Sequence, residues 1–196
     1  PVFKGYRGYP KSICTSINEE IVHGIPSQRA LRDGDILSVD IGVEYRNYVA
    51  DAATTLPIGS ISREIQNLID VCKTSLMKAI AVLHSHVKLS EVSKAIQEYV
   101  EANGFAVIRD YTGHGIGRQM HEEPQIPNFV NDELLKSDQT LLKGMALAIE
   151  PMICVGNYDT EVLKNKWTVV TKDRQFSAHF EHTVVVTEDG ADILTM

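Results

Sequence analysis

Cysteine is scarce in this chain, and long apolar runs are lacking. The three cysteines, Cys14, Cys72 and Cys154, are an odd number without the spacing of a zinc-binding motif. This usage is not that of a disulfide-stabilised secreted domain, and it predicts a reducing, cytoplasmic location. No segment has the ~18 to 20 consecutive apolar residues that a membrane helix needs, and no signal peptide is visible. We therefore expect no membrane partner.

Clusters of basic residues are also lacking. Lysine and arginine total 19 against 26 acidic residues, which gives a net charge of -7, and no basic cluster exceeds two or three residues. A protein that binds nucleic acid through its phosphates usually has a positive surface, so no specific nucleic acid is expected as a partner. The 196 residues, 43% of them hydrophobic, predict one domain with a sizeable core.

Acidic residues do occur in segments where a charge is costly. Asp40 interrupts one apolar run, Glu150 lies inside another, and Glu181 precedes a third. Burying a lone carboxylate in such a segment is expensive unless a hydrogen bond, a counter-charge or a metal compensates it. With one further acid and a histidine, these residues form an oxygen-rich set that suits two divalent cations and predicts hydrolysis. The members of the set are Asp40, Asp51, His114, Glu150 and Glu181.

Asp40 and Asp51 are predicted to face each other in a β-hairpin. Residues 36–44 and 47–55 alternate in character as two strands would, and a turn centred just after Tyr45 pairs the two acids directly. Both then point to the face with polar and small side chains, where a cation between them would offset their repulsion. The alternative is a solvent-exposed face that carries two unrelated acids.

A glycine-rich segment with two histidines follows at residues 113–124. Its three glycines at alternate positions predict a loop whose backbone approaches a ligand closely. The Gly-x-Gly-x-x-Gly order of a dinucleotide site is absent, so that interpretation is weak. His114 and His121 are seven residues apart, so one could bind a metal while the other reaches the substrate. The alternative is that both are structural.

The remaining pattern predicts an α+β domain. Residues 12–58 are expected to form strands and turns, and two helices are expected at 61–84 and 90–102. The second helix should end at Asn103-Gly104, a typical stop signal. The later strands are predicted at 105–111, 144–155, 167–173 and 176–194. The apolar stripe of the first helix consists of Ile65, Leu68, Ile69, Cys72, Leu76, Ile80 and Leu83.

Several motifs, taken together, resemble those of the type I methionine aminopeptidases. They include the Gly-His-Gly-Ile-Gly run around His114 and the Phe-Glu-His-Thr run around Glu181. The matching segments keep the family order from residue 5 to the C-terminus. They are residues 8–14, 18–26, 33–40, 111–117, 121–124, 148–152, 167–173 and 178–183.

The resemblance implies an α+β pita-bread fold, in which a curved antiparallel sheet with a pseudo-two-fold axis carries helices on its outer face. It also implies two divalent metal ions, for which Co, Mn, Fe and Zn are candidates. By the resemblance, Asp40 binds one metal, whereas Asp51 and Glu181 bridge both. His114 and Glu150 complete the second metal site, and Glu150 also relays a proton to the leaving amine.

The resemblance further implies which residues handle the substrate. His23 and His121 would act on the substrate without binding metal. A pocket of aromatic and thioether side chains would accept the methionine, and Cys14 could equally be a small buried hydrophobe. The pocket residues are Tyr6, Tyr9, Cys14, Met120 and Trp167.

The implied function is removal of the initiator methionine from nascent proteins and peptides, preferentially when the second residue is small. This function suggests the ribosome as an additional partner. Two alternatives stay open at this point. A proline-directed aminopeptidase of the same fold shares all five metal ligands. A nonenzymatic relative would use the pita-bread surface to bind protein or RNA; such relatives usually lose ligands, whereas all five are present here.

The start of the chain departs from the family pattern. Family members carry two helices before the Gly-Tyr-x-Gly-Tyr-Pro run, whereas only residues 1–4 precede it here. Residues 1–196 are therefore interpreted as one metallopeptidase catalytic domain without its first helices. Because a bare apolar sheet face is seldom tolerated in a soluble monomer, we expect a further segment of about fifty residues, or a partner, to cover it.

Overall fold

The computed structural model describes all 196 residues, and the elements that they form confirm the predicted α+β class. Every strand pairing in it is antiparallel. The helices are α1 (Arg63–Ala81), α2 (Leu89–Ala102) and α3 (Asp132–Lys136). The strands are β1 (Cys14–Ile17), β2 (Glu20–Val22), β3 (Ile36–Tyr45), β4 (Tyr48–Pro57), β5 (Ala106–Val107), β6 (Thr112–Gly115), β7 (Glu122–Pro127), β8 (Ala146–Ile149), β9 (Met152–Cys154), β10 (Thr160–Val162), β11 (Val169–Thr171), β12 (Ser177–His179), β13 (Glu181–Val186) and β14 (Ala191–Ile193).

The main sheet joins the two halves of the chain. Its strand order is β1-β3-β4-β13-β8-β6-β7, with β14 paired to β13, and two sheets of three strands adjoin it in the orders β10-β11-β2 and β12-β9-β5. The early strands β1, β3 and β4 meet the late strands where β4 pairs with β13. The predicted strands 105–111 and 167–173 are present but shorter, as β5 and β11.

Local signals account for the two long helices. Helix α1 begins where Ser62 caps it, because the Ser62 Oγ accepts a hydrogen bond from the Ile65 N–H at 3.2 Å. Helix α2 ends at Asn103, and Gly104 follows with a φ of 81°. The predicted stripe of α1 is buried along its whole length in the largest core cluster. Neither these helices nor α3 combine the length and the apolar composition needed to cross a membrane.

The β3–β4 hairpin turns through two residues, Arg46 and Asn47. Both have positive φ, 50° and 64°, which is the backbone conformation of a type I′ turn. This turn matches the right-handed twist of the two strands, so Tyr45 pairs with Tyr48 and both strands run for ten residues. The hairpin is therefore confirmed, but its turn lies one residue later than predicted.

The shifted turn corrects the predicted pairing of the two acids. Asp40 pairs with Ala53 and Asp51 pairs with Gly42, so the acids are diagonal neighbours and not direct partners. Side chains alternate between faces with a period of two, and the shift moves each partner by two positions. Asp40 and Asp51 consequently still share one face. That face is not solvent-exposed, since only 4% of Asp51 is accessible.

Two of the predicted late strands are wrong as single elements, because each is divided between two sheets. The predicted strand 144–155 breaks at Glu150-Pro151, so that β8 pairs with β13 in the main sheet and β9 pairs with β12 in a small one. Pro151 has no N–H to donate, so a continuous ladder ends there. The predicted strand 176–194 breaks at Phe180, between β12 and β13, and again before β14. The chain thus crosses between sheets beside two predicted ligands.

The apolar face of the β3–β4 hairpin is uncovered. Ile41, Val43 and Leu56 are 44%, 49% and 47% exposed, and Tyr45 and Tyr48 at the hairpin tip are also exposed. Large apolar side chains grouped in this way mark a surface that another element usually covers. The opposite face of the hairpin carries the acids and is the more buried of the two. A segment or partner that covers the apolar face stays a prediction.

Candidate metal centre

One cavity collects every residue that the sequence analysis assigned to the site. Its volume is about 190 Å³, and its lining combines acids and histidines with aromatic and thioether side chains. The predicted residues on its wall are Tyr6, Tyr9, Cys14, His23, Asp40, Asp51, His114, Met120, His121, Glu150, Trp167 and Glu181.

Neighbouring strands hold the five predicted metal ligands. The strand order β3-β4-β13-β8-β6 places their side chains side by side although they are far apart in sequence. Thr183 ties two of these strands together, because its Oγ1 accepts from the Asp51 N–H and donates to the Asp51 carbonyl, both at 2.8 Å. Asp40 lies on β3, Asp51 on β4, His114 on β6 and Glu181 at the start of β13, while Glu150 directly follows β8.

The metal-binding atoms form two groups that share Glu181. One group consists of Asp51, His114 and Glu181, and in it the candidate ligand atoms lie within 4.8 Å of one another. The other consists of Glu150, His179 and Glu181, with the same spacing. Glu181 is common to both groups, so the groups belong to one continuous cluster of donors, and Asp40 belongs to neither group.

His114 is held with one ring nitrogen free. Its Nδ1 lies 2.8 Å from the Gly115 carbonyl oxygen, which accepts the Nδ1–H and so leaves the lone pair on Nε2. That Nε2 lies 3.5 Å from Glu150 Oε1. A backbone carbonyl that orients a histidine ring in this way is typical of metal-binding histidines.

His179 belongs to the site geometrically, and sequence reasoning missed it. It is the last residue of β12 and is 1% exposed, and its Nε2 lies 3.5 Å from Glu150 Oε2. The available signal was its position two residues before Glu181, which places both side chains on the same side of an extended chain.

The first part of the glycine-rich segment is a strand and not the predicted loop. Residues 112–115 form β6, which pairs with β7 on one side and β8 on the other. A Cβ atom on Gly113 would lie 2.5 Å from the Ala148 carbonyl oxygen, and one on Gly115 would overlap the Glu123 carbonyl oxygen. These glycines are therefore required by the close approach of neighbouring strands.

Burial and mutual repulsion make the four carboxylates reluctant to ionise. Burial, followed by the charges of Asp51 and Glu150, raises the pKa of Asp40 well above its usual range. Burial and the charge of Glu150 raise the pKa of Asp51 to about 7, and burial raises the pKa of Glu150 to about 7. Glu181 shifts in the same direction for the same reasons. The cluster therefore needs protons or cations to compensate its charge.

The residues present fit bound divalent cations. Asp40 Oδ1, Glu181 Oε1 and His179 Nε2 are buried and have no hydrogen-bond partner. An unpartnered buried polar atom is costly, and a metal ion satisfies both carboxylate oxygen and imidazole nitrogen. Four acids with one or two imidazoles form a donor set for Mn, Fe, Co or Zn.

The two histidines that were not predicted as ligands lie at the same cavity. The Nδ1 of His121 lies 2.7 Å from the Tyr6 hydroxyl oxygen, and its ring centroid is 4.3 Å from that of His114. His23 packs edge-on against Tyr111 and Trp167 at ring distances of 5.9 Å and 6.5 Å. Burial and the nearby His179 lower the pKa of His23 to about 4, so it is neutral at pH 7.

The predicted apolar pocket forms a small hydrophobic cluster of its own. Tyr9 is fixed at its centre by a 2.8 Å hydrogen bond from its hydroxyl to the Gly24 carbonyl and by edge-on contact with Trp167 at 5.1 Å. Cys14 and Met120 are buried in the same cluster. Phe3 also lines the cavity, and its ring centroid lies 6.4 Å from that of Tyr9.

Comparison with known proteins identifies the family. Metallopeptidase family M24 matches residues 4–188 of the chain. A methionine aminopeptidase from Clostridium acetobutylicum is 50% identical over 197 residues, which cover 100% of this chain and 78% of the relative. Methionine aminopeptidase 1 from Bacillus subtilis is 48% identical over 195 residues, covering 100% of this chain and 77% of its own length.

Solved structures agree and confirm the pita-bread fold. The crystal structure of methionine aminopeptidase from Rickettsia prowazekii superposes with a TM-score of 0.96 at 43% identity, covering 100% of this chain and 78% of that one. An Xaa-Pro dipeptidase from Bacillus anthracis, at 20% identity and a TM-score of 0.72 over 94% of this chain and 46% of its own, shares the fold alone. This chain belongs to metallopeptidase family M24 and, within it, to the methionine aminopeptidases.

Proposed function

We propose that this aminopeptidase removes methionine from peptide and protein N-termini with a pair of divalent cations, and that it prefers a small second residue. The observation that carries the two-cation proposal is the presence of four carboxylates on the wall of one cavity, because two divalent cations would neutralise four carboxylate charges. Their raised pKa values support it, since they show that the cluster holds its negative charge at a cost.

The proposed assignment gives each ligand a place. Asp40 would hold one cation, His114 with Glu150 would hold the other, and Asp51 with Glu181 would contribute to both. When bound, the two cations supply Lewis acidity that polarises the substrate carbonyl and lowers the pKa of a water molecule. Glu150 directly follows β8, where the chain crosses between sheets, and in this proposal it also carries a proton to the leaving amine.

The two free histidines act on the substrate in this proposal. In the proposed tautomer the Tyr6 hydroxyl donates a hydrogen bond to Nδ1 of His121, so that the Nε2–H donates a hydrogen bond to the oxygen that becomes negative during attack. His23 is neutral at pH 7 and lies across the cavity against Trp167. It is placed to hold the substrate amide near the carboxylate cluster.

Specificity follows from the pocket beside the cluster. Its aromatic and thioether lining suits an unbranched apolar side chain, and the adjoining acids leave room for a free α-amine. The preference for a small second residue rests on the family resemblance. The three cysteines are free and buried, so we also propose a cytoplasmic location, where nascent chains leave the ribosome.

A peptide panel tests this function. Met-X-Ser peptides with varied X are compared with formyl-Met-Ala-Ser, Val-Ala-Ser and Ala-Pro-Ala, and bound metal is counted per chain. We expect efficient cleavage of Met-Ala-Ser, no cleavage of the formylated peptide, and about two metals per chain. Valine at the first position should be disfavoured, because a shape mismatch in an apolar pocket is worth about 1–3 kcal/mol.

Two results would contradict the proposal. Faster cleavage of Ala-Pro-Ala than of Met-Ala-Ser would favour the proline-directed alternative. Full activity with a single tightly bound metal per chain would exclude the shared role of Glu181 while leaving the aminopeptidase activity in place.

A further inference from the structure

We propose that His179 is a sixth ligand of the metal centre and binds through Nε2 beside Glu150 and Glu181. This inference rests on the proposed metal centre and extends it, because the resemblance assigns only one histidine to the metals. The consequence is a centre with two imidazoles, His114 and His179, each of which offers a nitrogen within 4.8 Å of a Glu181 carboxylate oxygen.

The backbone of His179 is fixed on both sides. Its N–H donates to Thr55 Oγ1 at 2.9 Å, and Thr55 Oγ1 donates to the His179 carbonyl at 2.8 Å. Ser38 completes the link, with its Oγ 2.8 Å from Thr55 Oγ1. His179 also pairs with Met152 across the small sheet. The side chain therefore approaches Glu150 from a sheet different from the one that carries most of the acids.

The free atom of His179 is the one that faces the acids. Nε2 is buried without a hydrogen-bond partner, and its nearest carboxylate atom, Glu150 Oε2, is 3.5 Å away. That separation exceeds the usual range of an N–H···O hydrogen bond. The candidate ligand atoms of Glu150, His179 and Glu181 nevertheless lie within 4.8 Å of one another, a spacing that a single cation can span.

A second imidazole would change the donor set of the centre. An imidazole nitrogen offers its lone pair to a metal ion, whereas the neighbouring acids offer carboxylate oxygens. Imidazole is a better ligand for Zn, Fe and related ions than for Mn, which favours carboxylate oxygen. A second histidine should therefore shift the metal preference of the centre away from Mn.

Nuclear magnetic resonance of the histidine rings tests the inference on the intact chain. The full chain is labelled with ¹⁵N in its histidines, stripped of metal and reloaded with Zn²⁺, and the variant His179→Gln assigns the His179 signals by their loss. We expect the Nε2 resonances of both His114 and His179 to move to the metal-bound position. His84→Gln, at an exposed histidine outside the cavity, is the matched control and should leave both signals in place.

The possible outcomes separate the two proposals. If Nε2 of His114 becomes metal-bound while that of His179 keeps a proton, His179 is a hydrogen-bond donor to Glu150 and the inference is wrong. If neither nitrogen responds to Zn²⁺, the proposed metal centre fails with it. The wild-type spectrum alone shows whether one or two histidine Nε2 resonances respond to Zn²⁺, so the number of metal-bound histidines does not depend on the folding of His179→Gln.

Calorimetric titration of the metal-free chain with Zn²⁺ gives a second readout. Removing a residue that only hydrogen-bonds to a metal ligand typically weakens metal binding by about 10–100-fold. Removing a ligand itself should weaken one binding step by at least as much. The same substitution should shrink the rise in Tm that Zn²⁺ produces, since metal binding stabilises the folded state. Affinity in His179→Gln equal to that in His84→Gln would overturn the assignment.

Discussion

Asp51 is a residue at which burial and charge oppose each other. It is 4% exposed, and burial together with the charge of Glu150 raises its pKa from 3.8 to about 7. The folded metal-free protein therefore holds a proton that the unfolded chain releases, so the free energy of unfolding falls as pH rises from about 4 to about 7. Nearby histidines with lowered pKa values act in the opposite direction, and only a variant can isolate the contribution of the acid.

The variant Asp51→Asn should remove the free-energy cost of ionising a buried carboxyl group at this position. In the metal-free protein we expect the variant to gain stability over the wild type as pH rises from about 5 to about 7.5, by on the order of 2–4 kcal/mol. Urea unfolding in the presence of a chelator measures the difference. With metal restored, the order should reverse, because the variant lacks a bridging carboxylate. A difference that does not change with pH would show that Asp51 carries no such penalty.

His23 and His121 lie in the cavity but outside both ligand groups. We expect His23→Ala and His121→Ala to keep the metals and the Tm while lowering kcat by roughly 10²–10⁴, the usual value of a positioned proton donor or acceptor. Steady-state kinetics with metal analysis measures both effects, and His84→Ala serves as the control at an exposed site. Wild-type kcat in both variants would exclude a role in the reaction.

At the scale of elements, strand β6 depends on residues without side chains. A Cβ atom on Gly113 would lie 2.5 Å from the Ala148 carbonyl oxygen and 3.2 Å from the Ile126 Cβ. We expect Gly113→Ala to push β6 from β8, to destabilise the protein by about 1–3 kcal/mol and to displace the adjacent His114. Urea unfolding and metal affinity both report on this.

Gly190→Ala is the matched control for β6. Its added Cβ would meet nothing closer than Thr187 Oγ1 at 3.8 Å, so stability and metal affinity should stay near wild type. Equal effects of the two substitutions would show that the close packing of β6 is not what requires glycine.

The whole molecule presents its apolar hairpin face to solvent. Because Ile41 and Val43 are nearly half exposed beside Leu56, we expect the 196-residue chain to self-associate or to bind a hydrophobic dye. Light scattering and dye fluorescence measure this, and the double substitution of Ile41 and Val43 by serine should reduce both signals. A monodisperse monomer that binds no dye would contradict the expectation that another segment or a partner covers this face.

The sequence by itself determined the features that depend on neighbouring residues. The start of α1 follows from a serine cap and the end of α2 from a glycine stop, both of which act within a few residues, whereas α1 ends at Ala81 and not at the predicted residue 84. The chemistry of the centre could also be predicted, because a carboxylate within an apolar run is costly wherever the chain folds. Motif resemblance then assigned roles to those residues.

Tertiary structure alone decided the features that depend on pairing between distant strands. The register of the hairpin depends on its turn, which forms at Arg46 and Asn47 because both residues adopt positive φ. The sequence pattern alone placed this turn one residue too early. The breaks beside Glu150 and at Phe180 arise because each segment pairs with a different sheet on either side. His179 reaches the acids for the same reason. Such contacts join residues far apart in sequence, so no local pattern contains them.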